Sequence, residues 1–135
     1  MRIRIGKISA LAATFVVVAA VSVAQEGADE ASPVARAVVC TDVLEREPVG
    51  EATSFDSAVE RLFCFTEIRG QEGKTITHAW IHEGTTRARV DLPVRSARWR
   101  TWSSKKISPG WKGQWQVKVL DADGVVLSTL DFVVE

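Results

Sequence analysis

The feature that most constrains the fold is a series of short β-branched and aromatic runs, each followed by turn-forming residues. After residue 33, no window of ten or more residues carries a convincing 3.6-residue apolar period, which disfavours a helical domain. The cleanest alternation is GQWQVKVL, where Trp115, Val117 and Val119 alternate with polar side chains. The segment Asp121–Gly124 then predicts a hairpin turn, with glycine where a positive φ is needed. The predicted strands are Val34–Val43, Arg61–Ile68, Thr75–His82, Thr86–Val94, Trp99–Lys105, Gly113–Leu120 and Val125–Val134.

Seven short strands separated by turns predict an all-β fold, a small antiparallel two-sheet β-sandwich of the immunoglobulin-like kind. A closed barrel with a similar number of strands is the alternative that the pattern leaves open. The charged segment Glu45–Glu60 is a candidate for a helical turn. With 135 residues, 46% of them hydrophobic and 25% charged, the chain has the size and composition of one globular domain.

The N-terminus has the three parts of a secretory signal. Residues 1–7 carry three positive charges, residues 8–24 are uncharged, and Ser22-Val23-Ala24 offers small residues for signal peptidase. We predict cleavage after residue 24, a flexible acidic lead over residues 25–33, and one domain over residues 34–135. The alternative is an uncleaved anchor, which seventeen apolar residues would barely allow. The predicted location is therefore periplasmic or secreted.

The formal net charge of zero conceals an uneven distribution. Lys and Arg number 17, as do Asp and Glu, which excludes a bulk polyanion binder of the histone type. Residues 25–83 hold 5 basic and 12 acidic side chains, whereas residues 84–120 hold 9 basic and 1 acidic. Positive charge is therefore concentrated in one segment, which also holds four of the five tryptophans.

This basic, tryptophan-rich segment is the main candidate for a functional surface. On a strand, Arg98, Arg100 and Trp102 share one face while Trp99 lies on the other. Such a surface suits an anionic glycan, a lipid headgroup or an acidic envelope protein, and no nucleic acid is expected for an exported chain. The alternative is structural, because tryptophans in small sandwiches are usually core and arginines often stack on them. The surface candidates are Arg98, Arg100, Trp102, Lys105 and Lys106, followed by His78 and Trp80.

No catalytic or metal-binding motif stands out. His78 and His82 are the only histidines, and on one strand they would lie about 13 Å apart, too far to bind one metal ion. Ser103 and Lys106 have S-x-x-K spacing, but residues three apart on a strand point to opposite sides. We predict no catalytic residue, metal or cofactor, and a function in binding or structural association. The alternative is an envelope hydrolase or sugar-modifying enzyme that uses His78 as a general acid or base.

Cys40 and Cys64, in the first two predicted strands, are the only cysteines. An even pair in an exported chain predicts a disulfide, which would contribute about 3–4 kcal/mol by closing a loop of about 25 residues. The bridge requires the two strands to be neighbours, with Cα atoms about 5–6 Å apart. The alternative is a pair of buried apolar thiols.

Several short strings in a fixed order carry a family resemblance. They are Arg46-Glu47-Pro48, Phe63-Cys64-Phe65-Thr66, Thr77-His78-x-Trp80, WRTWSSK from Trp99 to Lys105, Gly113-x-Trp115-x-Val117 and Asp123-Gly124-x-Val126-Leu127. From Arg36 to its C-terminus, the chain resembles a bacterial cell-envelope family catalogued as a domain of unknown function (number twenty-nine fourteen). The resemblance implies a small all-β extracytoplasmic domain, here behind a signal peptide. It implies no catalytic residue, because none is assigned in that family.

Overall fold

A computed structural model describes residues 32–135, so the predicted signal peptide and most of the acidic lead lie outside the described residues. The described part contains strands and no helix, and therefore no helix that could cross a membrane. The ten strands are β1 Val34–Cys40, β2 Asp42–Leu44, β3 Glu47–Val49, β4 Ser54–Phe55, β5 Arg61–Arg69, β6 Thr75–His82, β7 Thr85–Pro93, β8 Arg98–Lys106, β9 Gly113–Leu120 and β10 Val126–Val134.

The strands form two open sheets and a small hairpin. One sheet has the order β1-β5-β8, the other has the order β4-β10-β9-β6-β7, and β2 pairs with β3. All these pairs are antiparallel except β4 with β10. Within the described part of the chain, each large sheet ends at strands that pair on one side only, so the fold is a sandwich rather than a closed barrel. The predicted all-β sandwich is confirmed, with ten strands instead of seven.

The three additional strands all fall in or beside the charged segment that was a candidate for a helical turn. β2 and β3 are joined by Glu45 and Arg46, whose φ angles are 50° and 65°. Two consecutive positive φ values are typical of the two-residue turn that suits a hairpin, a turn in which Asn-Gly is usual. Because neither residue is Gly, Asn or Asp, the sequence lacks the signal for this hairpin. The expectation of a helical turn was wrong, since β2, β3 and β4 occupy this region.

The core lies between the two large sheets and is rich in aromatic side chains. The largest fully buried residues include Trp80, Trp115 and Phe132 on the five-stranded sheet. Trp115 stacks on Phe132 at 5.9 Å, while Trp80 meets the same ring edge-on at 6.2 Å. Leu62 and Cys64 close this cluster from the three-stranded sheet. We call the sheet faces that meet in this core the inner faces and the opposite sides the outer faces.

The predicted disulfide is absent: Cys40 and Cys64 are both buried free thiols. They do lie on paired strands, as the prediction required, but Cys64 is opposite Val39 and Cys40 is opposite Phe63. Because side chains alternate along a strand, this one-residue offset directs the two sulfur atoms to opposite faces of the sheet. Burial raises the pKa of both thiols, so neither is activated as a nucleophile.

Candidate binding surface

β8 carries most of the predicted surface residues, at the edge of the three-stranded sheet. Its register with β5 pairs Arg100 with Glu67, Trp102 with Phe65 and Ser103 with Cys64. Since Cys64 belongs to the core, Ser103 faces inward, whereas Arg100 and Trp102 face outward. β8 therefore has an inward side, on which Ser103 is buried, and an outward side that carries Arg100 and Trp102.

Arg100 is neutralised by carboxylates from elsewhere in the chain. Its guanidinium donates to Glu47 Oε2 at 2.6 Å and to the backbone oxygen of Arg46 at 3.2 Å. Its Nε atom also lies 3.8 Å from Glu67 Oε1. Glu47 stands on the β2–β3 hairpin, which the sequence did not predict. Arg100 therefore fastens this hairpin to the outer face of β8.

A surface cavity of about 240 Å³ lies beside Arg100 and is lined by Arg46, Glu67, Arg98 and Arg100. Arg98 is exposed and, within residues 32–135, has no carboxylate oxygen within 4.0 Å. The Arg46 guanidinium lies 5.6 Å from the centroid of the Trp99 ring, in a cation–π contact. The cavity, which we call the arginine cavity, thus combines three guanidinium groups with one lining carboxylate.

Trp102 is half-buried and serves partly as cover for the outer face. Its ring stacks on Phe65 at 6.1 Å with an interplanar angle of 17°. Arg36 covers the same Phe65 ring at 5.7 Å. Among the tryptophans of the basic segment, Trp115 is core, whereas Trp99, Trp102 and Trp111 each keep an accessible portion.

The other end of β8 carries a second group of cations, which we call the lysine cluster: Arg61, Arg87, Lys105 and Lys106. Lys105 Nζ lies 4.6 Å from the centroid of the Trp111 ring, and the Arg87 guanidinium carbon lies 4.9 Å from the same centroid. Arg61 donates to Ser104 Oγ at 2.7 Å. Among the residues that the structure describes, no carboxylate lies within 4.0 Å of any cation in this cluster.

Burial and the neighbouring charges of Arg61 and Arg87 lower the pKa of Lys105. Sequence reasoning selected Lys105 and Lys106 for this end of β8 but missed Arg61 and Arg87. In the pairing of β6 with β7, the register shifts between Trp80↔Ala88 and Ile81↔Thr86, which leaves Arg87 as the extra residue of a β-bulge. A bulge redirects a side chain and has no simple sequence signature.

The loop that carries Trp111 is held in place by side chains of β6 and β9. Trp115 Nε1 donates to the Trp111 backbone oxygen at 2.9 Å, and His82 Nε2 donates to the Lys112 oxygen at 2.7 Å. The His82 ring also packs against Trp115 at 4.8 Å. Its Nδ1 atom is buried without a hydrogen-bond partner. His82 therefore supports the indole of the lysine cluster rather than facing solvent.

His78 and Trp80, the remaining candidates, lie inside the sandwich with no exposed area. His78 Nδ1 is 2.7 Å from Ser103 Oγ and His78 Nε2 is 3.2 Å from Thr66 Oγ1. Trp80 Nε1 donates to Ser103 Oγ at 3.1 Å, and Thr66 donates to the Thr101 oxygen at 2.9 Å. These contacts form one chain of hydrogen bonds across the sandwich.

The single proton on each hydroxyl fixes the direction of this chain. Thr66 donates its proton to the Thr101 carbonyl, so the Thr66 oxygen accepts a hydrogen bond from His78 Nε2–H. Because Nε2 carries the proton, His78 Nδ1 accepts from the Ser103 hydroxyl, and the Ser103 oxygen accepts from Trp80 Nε1–H. A neutral imidazole satisfies every group, and burial lowers the pKa of His78 to about 4. The chain joins β6 of one sheet to β5 and β8 of the other.

The Ser103–His78 contact has the spacing of a nucleophile and its base, but both side chains are buried. No carboxylate is among the hydrogen-bond partners of His78, and none of the lining residues of the described cavities is His78. Among residues 32–135, no group of three or more His, Cys, Asp or Glu side chains is placed to hold a metal ion.

Comparison with known proteins yields a family match and a distant structural similarity. Residues 73–134 match the family described as "Protein of unknown function (DUF2914)", a shorter range than the resemblance suggested. No curated protein matches the chain. A crystal structure of an endonuclease/exonuclease/phosphatase from Beutenbergia cavernae DSM 12333 aligns with 75% of this chain at 12% identity and a TM-score of 0.33. This chain covers 34% of that protein.

Proposed function

We propose that this chain, whose residues 73–134 belong to the family of unknown function DUF2914, is a non-enzymatic binding domain for an anionic partner. The observation that carries the proposal is the arginine cavity, in which Arg46, Arg98 and Arg100 line one concave site. A guanidinium group presents a planar fork of donors that matches a carboxylate or phosphate oxygen pair. The site thus suits the anionic glycan, lipid headgroup or acidic protein segment expected from the sequence.

Arg98 is the residue through which the partner would first bind. Arg100 already donates to Glu47 and lies near Glu67, and Arg46 is stacked on Trp99. The Arg98 guanidinium is exposed and has no ion-pair partner in the described part of the chain, so its donors are available to a ligand. Trp102, which lies on the same face of β8 as Arg98, would extend contact along the strand.

The interior position of His78 favours binding over catalysis. A general acid or base must reach the proton that it transfers, directly or through one water molecule. His78 is fully buried, and both ring nitrogens are engaged by hydroxyl groups of the opposite sheet. The imidazole is best explained as a structural group that pairs buried polar atoms.

We also propose that the domain acts outside the cytoplasm. The support is the sequence of residues 1–24, with its basic start, uncharged run and small residues before the expected cut. Mass spectrometry of the protein from a bacterial envelope fraction tests this proposal. We expect a mature chain that begins at Gln25, and recovery from the cytoplasm with an intact N-terminus would contradict export.

Charge reversal tests the binding proposal. Three probes represent the partner classes: a sulfated polysaccharide, a poly-glutamate peptide, and vesicles that contain phosphatidylglycerol. We expect at least one of them to bind at low salt, and Arg98→Glu to weaken that binding about tenfold, or about 1.4 kcal/mol. Arg89→Glu is the matched control, because Arg89 is also an exposed strand arginine but lies on β7 of the other sheet. Equal losses in both variants, or no binding of any probe, would refute the arginine cavity as the site.

A further inference from the structure

We propose that β10 pairs antiparallel with β10 of a second copy of this chain, so that the domain forms a weak two-fold dimer. β4 pairs with β10 only at Val133 and Val134. Within residues 32–135, β10 therefore has no hydrogen-bonded neighbour on that side over residues 127–131, which we call the free edge. The inference goes beyond the proposed function, because the free edge belongs to the five-stranded sheet and shares no residue with the arginine cavity.

The backbone of β10 presents hydrogen-bonding groups at the free edge. Val133 N donates to Thr53 O, on the side away from β9. Because backbone groups alternate in direction along an antiparallel strand, the N–H and C=O groups of Thr129 and Asp131 point to that same side. Neither residue has a backbone partner there in the part of the chain that the structure describes, and both side chains are exposed. The free edge therefore offers the donors and acceptors with which another strand can pair.

The other sheet edges are protected against strand addition. β7 has the bulge at Arg87 and ends at Pro93, and β8 carries two cations near each end. Along β1, the Arg36 side chain is paired with Glu51. Bulges, proline and charged side chains are the usual means by which proteins block an edge. β10 instead has one charged side chain, that of Asp131, and its bulge lies at the beginning of the free edge.

An apolar cavity and two exposed valines flank the free edge. The cavity, of about 180 Å³, lies beside Leu130 and has Val38 and Ala52 among its other lining residues. Since β1 forms the opposite wall of this cavity, β1 does not occupy the place of a strand paired with β10. Just before the free edge, Val125 and Val126 are 57% and 48% exposed. The surface thus has apolar side chains in solvent at one end of the free edge and an apolar cavity at the other.

A two-fold axis brings these two features together. Between the bulge that precedes Ser128 and the pairing with β4, the middle of the free edge is Thr129. When Thr129 of each copy lies opposite Thr129 of the other, two reciprocal N–H···O bonds form between groups that are free in the monomer. In this register, Val126 of one copy reaches residues 131–132 of the second copy, at the wall of the cavity. The exposed valines of each copy then cover the cavity of the other.

The size of this contact predicts weak association. About five residues pair on each copy and the valines add a small apolar area, whereas a standard stable interface has about 20–30 residues on each side. We therefore expect a dissociation constant on the order of 10–100 μM. The dimer would form only at high local concentration of the chain.

Analytical ultracentrifugation of the protein recovered from the envelope fraction, from about 5 to about 500 μM, tests the dimer. Thr129→Pro removes the central donor, and it costs the domain no hydrogen bond because that N–H is free. Val126→Lys places a charge at the cavity of the second copy, and it keeps the test valid should proline perturb the strand. We expect each variant to raise the dissociation constant at least tenfold. Leu44→Lys is the matched control, since Leu44 is 55% exposed but lies on the β2–β3 hairpin, and it should leave the dimer unchanged.

Hydrogen exchange tests the register. The amides of Thr129 and Asp131 should exchange more slowly as the protein concentration rises. Slow exchange at every concentration would mean that a segment of the same chain covers the free edge, and would overturn the inference. A monomer at about 500 μM would also overturn it and leave the edge to a strand of another protein, as would a dimer that Thr129→Pro and Val126→Lys leave intact. None of these results bears on the arginine cavity, whose test depends on Arg98.

Discussion

The two ends of β8 look alike in sequence and differ in electrostatic state. Arg98 and Arg100 at one end and Lys105 and Lys106 at the other are equally basic pairs. At the first end, Glu47 and Glu67 approach Arg100, whereas at the second end the nearby charges are Arg61 and Arg87, both positive. The local sequence of a strand therefore does not determine its charge environment, because other segments supply or withhold the counter-charges.

The difference in charge environment between the two ends of β8 requires β8 to stay packed on the opposite sheet. Ser103, midway along the strand, makes the hydrogen bonds that hold it there. Ser103→Ala would leave Trp80 Nε1–H and His78 Nδ1 buried without partners. At roughly 2 kcal/mol for each group, we expect a loss of about 4 kcal/mol in the free energy of unfolding. Urea denaturation followed by tryptophan fluorescence measures it. Ser104→Ala is the control on the outward side, and a loss as large as that of Ser103→Ala would contradict the assigned chain.

Low pH should weaken the same hydrogen-bond chain, because it protonates His78. The pKa of His78 is about 4 in the folded protein, below its ordinary value of 6.5, so the unfolded chain binds the additional proton between these values. The His78 contribution to stability is therefore complete above pH 6.5 and is lost as pH falls through 4. Between pH 7 and pH 4 we expect a loss of about 3 kcal/mol from this group.

Other groups also titrate in this range, so the pH experiment needs a reference. Denaturation of His78→Gln at both pH values supplies it, because that variant has no imidazole at this position. The pH dependence of the native protein should exceed that of His78→Gln by about the 3 kcal/mol assigned to the imidazole. Identical pH profiles would show that His78 is not held neutral in the fold.

Removing the negative charge of Glu47 should make the arginine end of β8 resemble the lysine end, where no carboxylate is close. Glu47→Gln leaves Arg100 without its 2.6 Å partner, so we expect binding of poly-glutamate to the arginine cavity to strengthen about fivefold at low salt. The loss of stability should stay below about 1 kcal/mol, since the pair is exposed. Glu72→Gln is the control, because Glu72 is exposed and makes no ion pair within residues 32–135. Unchanged or weaker binding in Glu47→Gln would mean that this carboxylate does not compete with the ligand.

The smallest effect expected is a shift in the titration of Lys105. Arg61→Gln removes one of the positive charges that lower its pKa, so the pKa of Lys105 should rise towards its ordinary value. Arg100→Gln, at the other end of the strand, should leave it unchanged. NMR titration of the lysine ammonium signals measures both variants, and equal shifts would show that the two ends are coupled.

Much of the fold was predictable, because in these segments local pattern and final environment agree. β6 and β9 span the predicted residues, and β5, β7, β8 and β10 differ from prediction by one residue at one or both ends. β7, β9 and β10 largely alternate between more and less buried residues, and β5 and β6 are rich in buried apolar residues, so much of the burial is recorded in the sequence. The β2–β3 hairpin was missed because Glu45 and Arg46 adopt positive φ without glycine or asparagine.

The site was less predictable, since it depends on register between distant segments. A one-residue offset separates Cys40 from Cys64 and removes the expected disulfide. A one-residue bulge brings Arg87 to Trp111, and a hairpin without a sequence signal brings Glu47 to Arg100. The first two outcomes depend on a displacement of one residue and the third on a turn without glycine or asparagine, and composition and periodicity record none of them.

The hydrogen-bond chain through His78 also makes the exchange of the imidazole proton a measure of how often the sandwich opens. The Nε2 proton is enclosed between the two sheets, and Thr66 holds it while Ser103 occupies the other ring nitrogen. Solvent can exchange this proton when the two sheets separate or when the edge strand β8, which carries Ser103, opens, but not when a surface loop frays. Its exchange lifetime therefore reports opening of the sandwich at β8 or between the two sheets, and a bound partner that stabilises the domain would lengthen that lifetime.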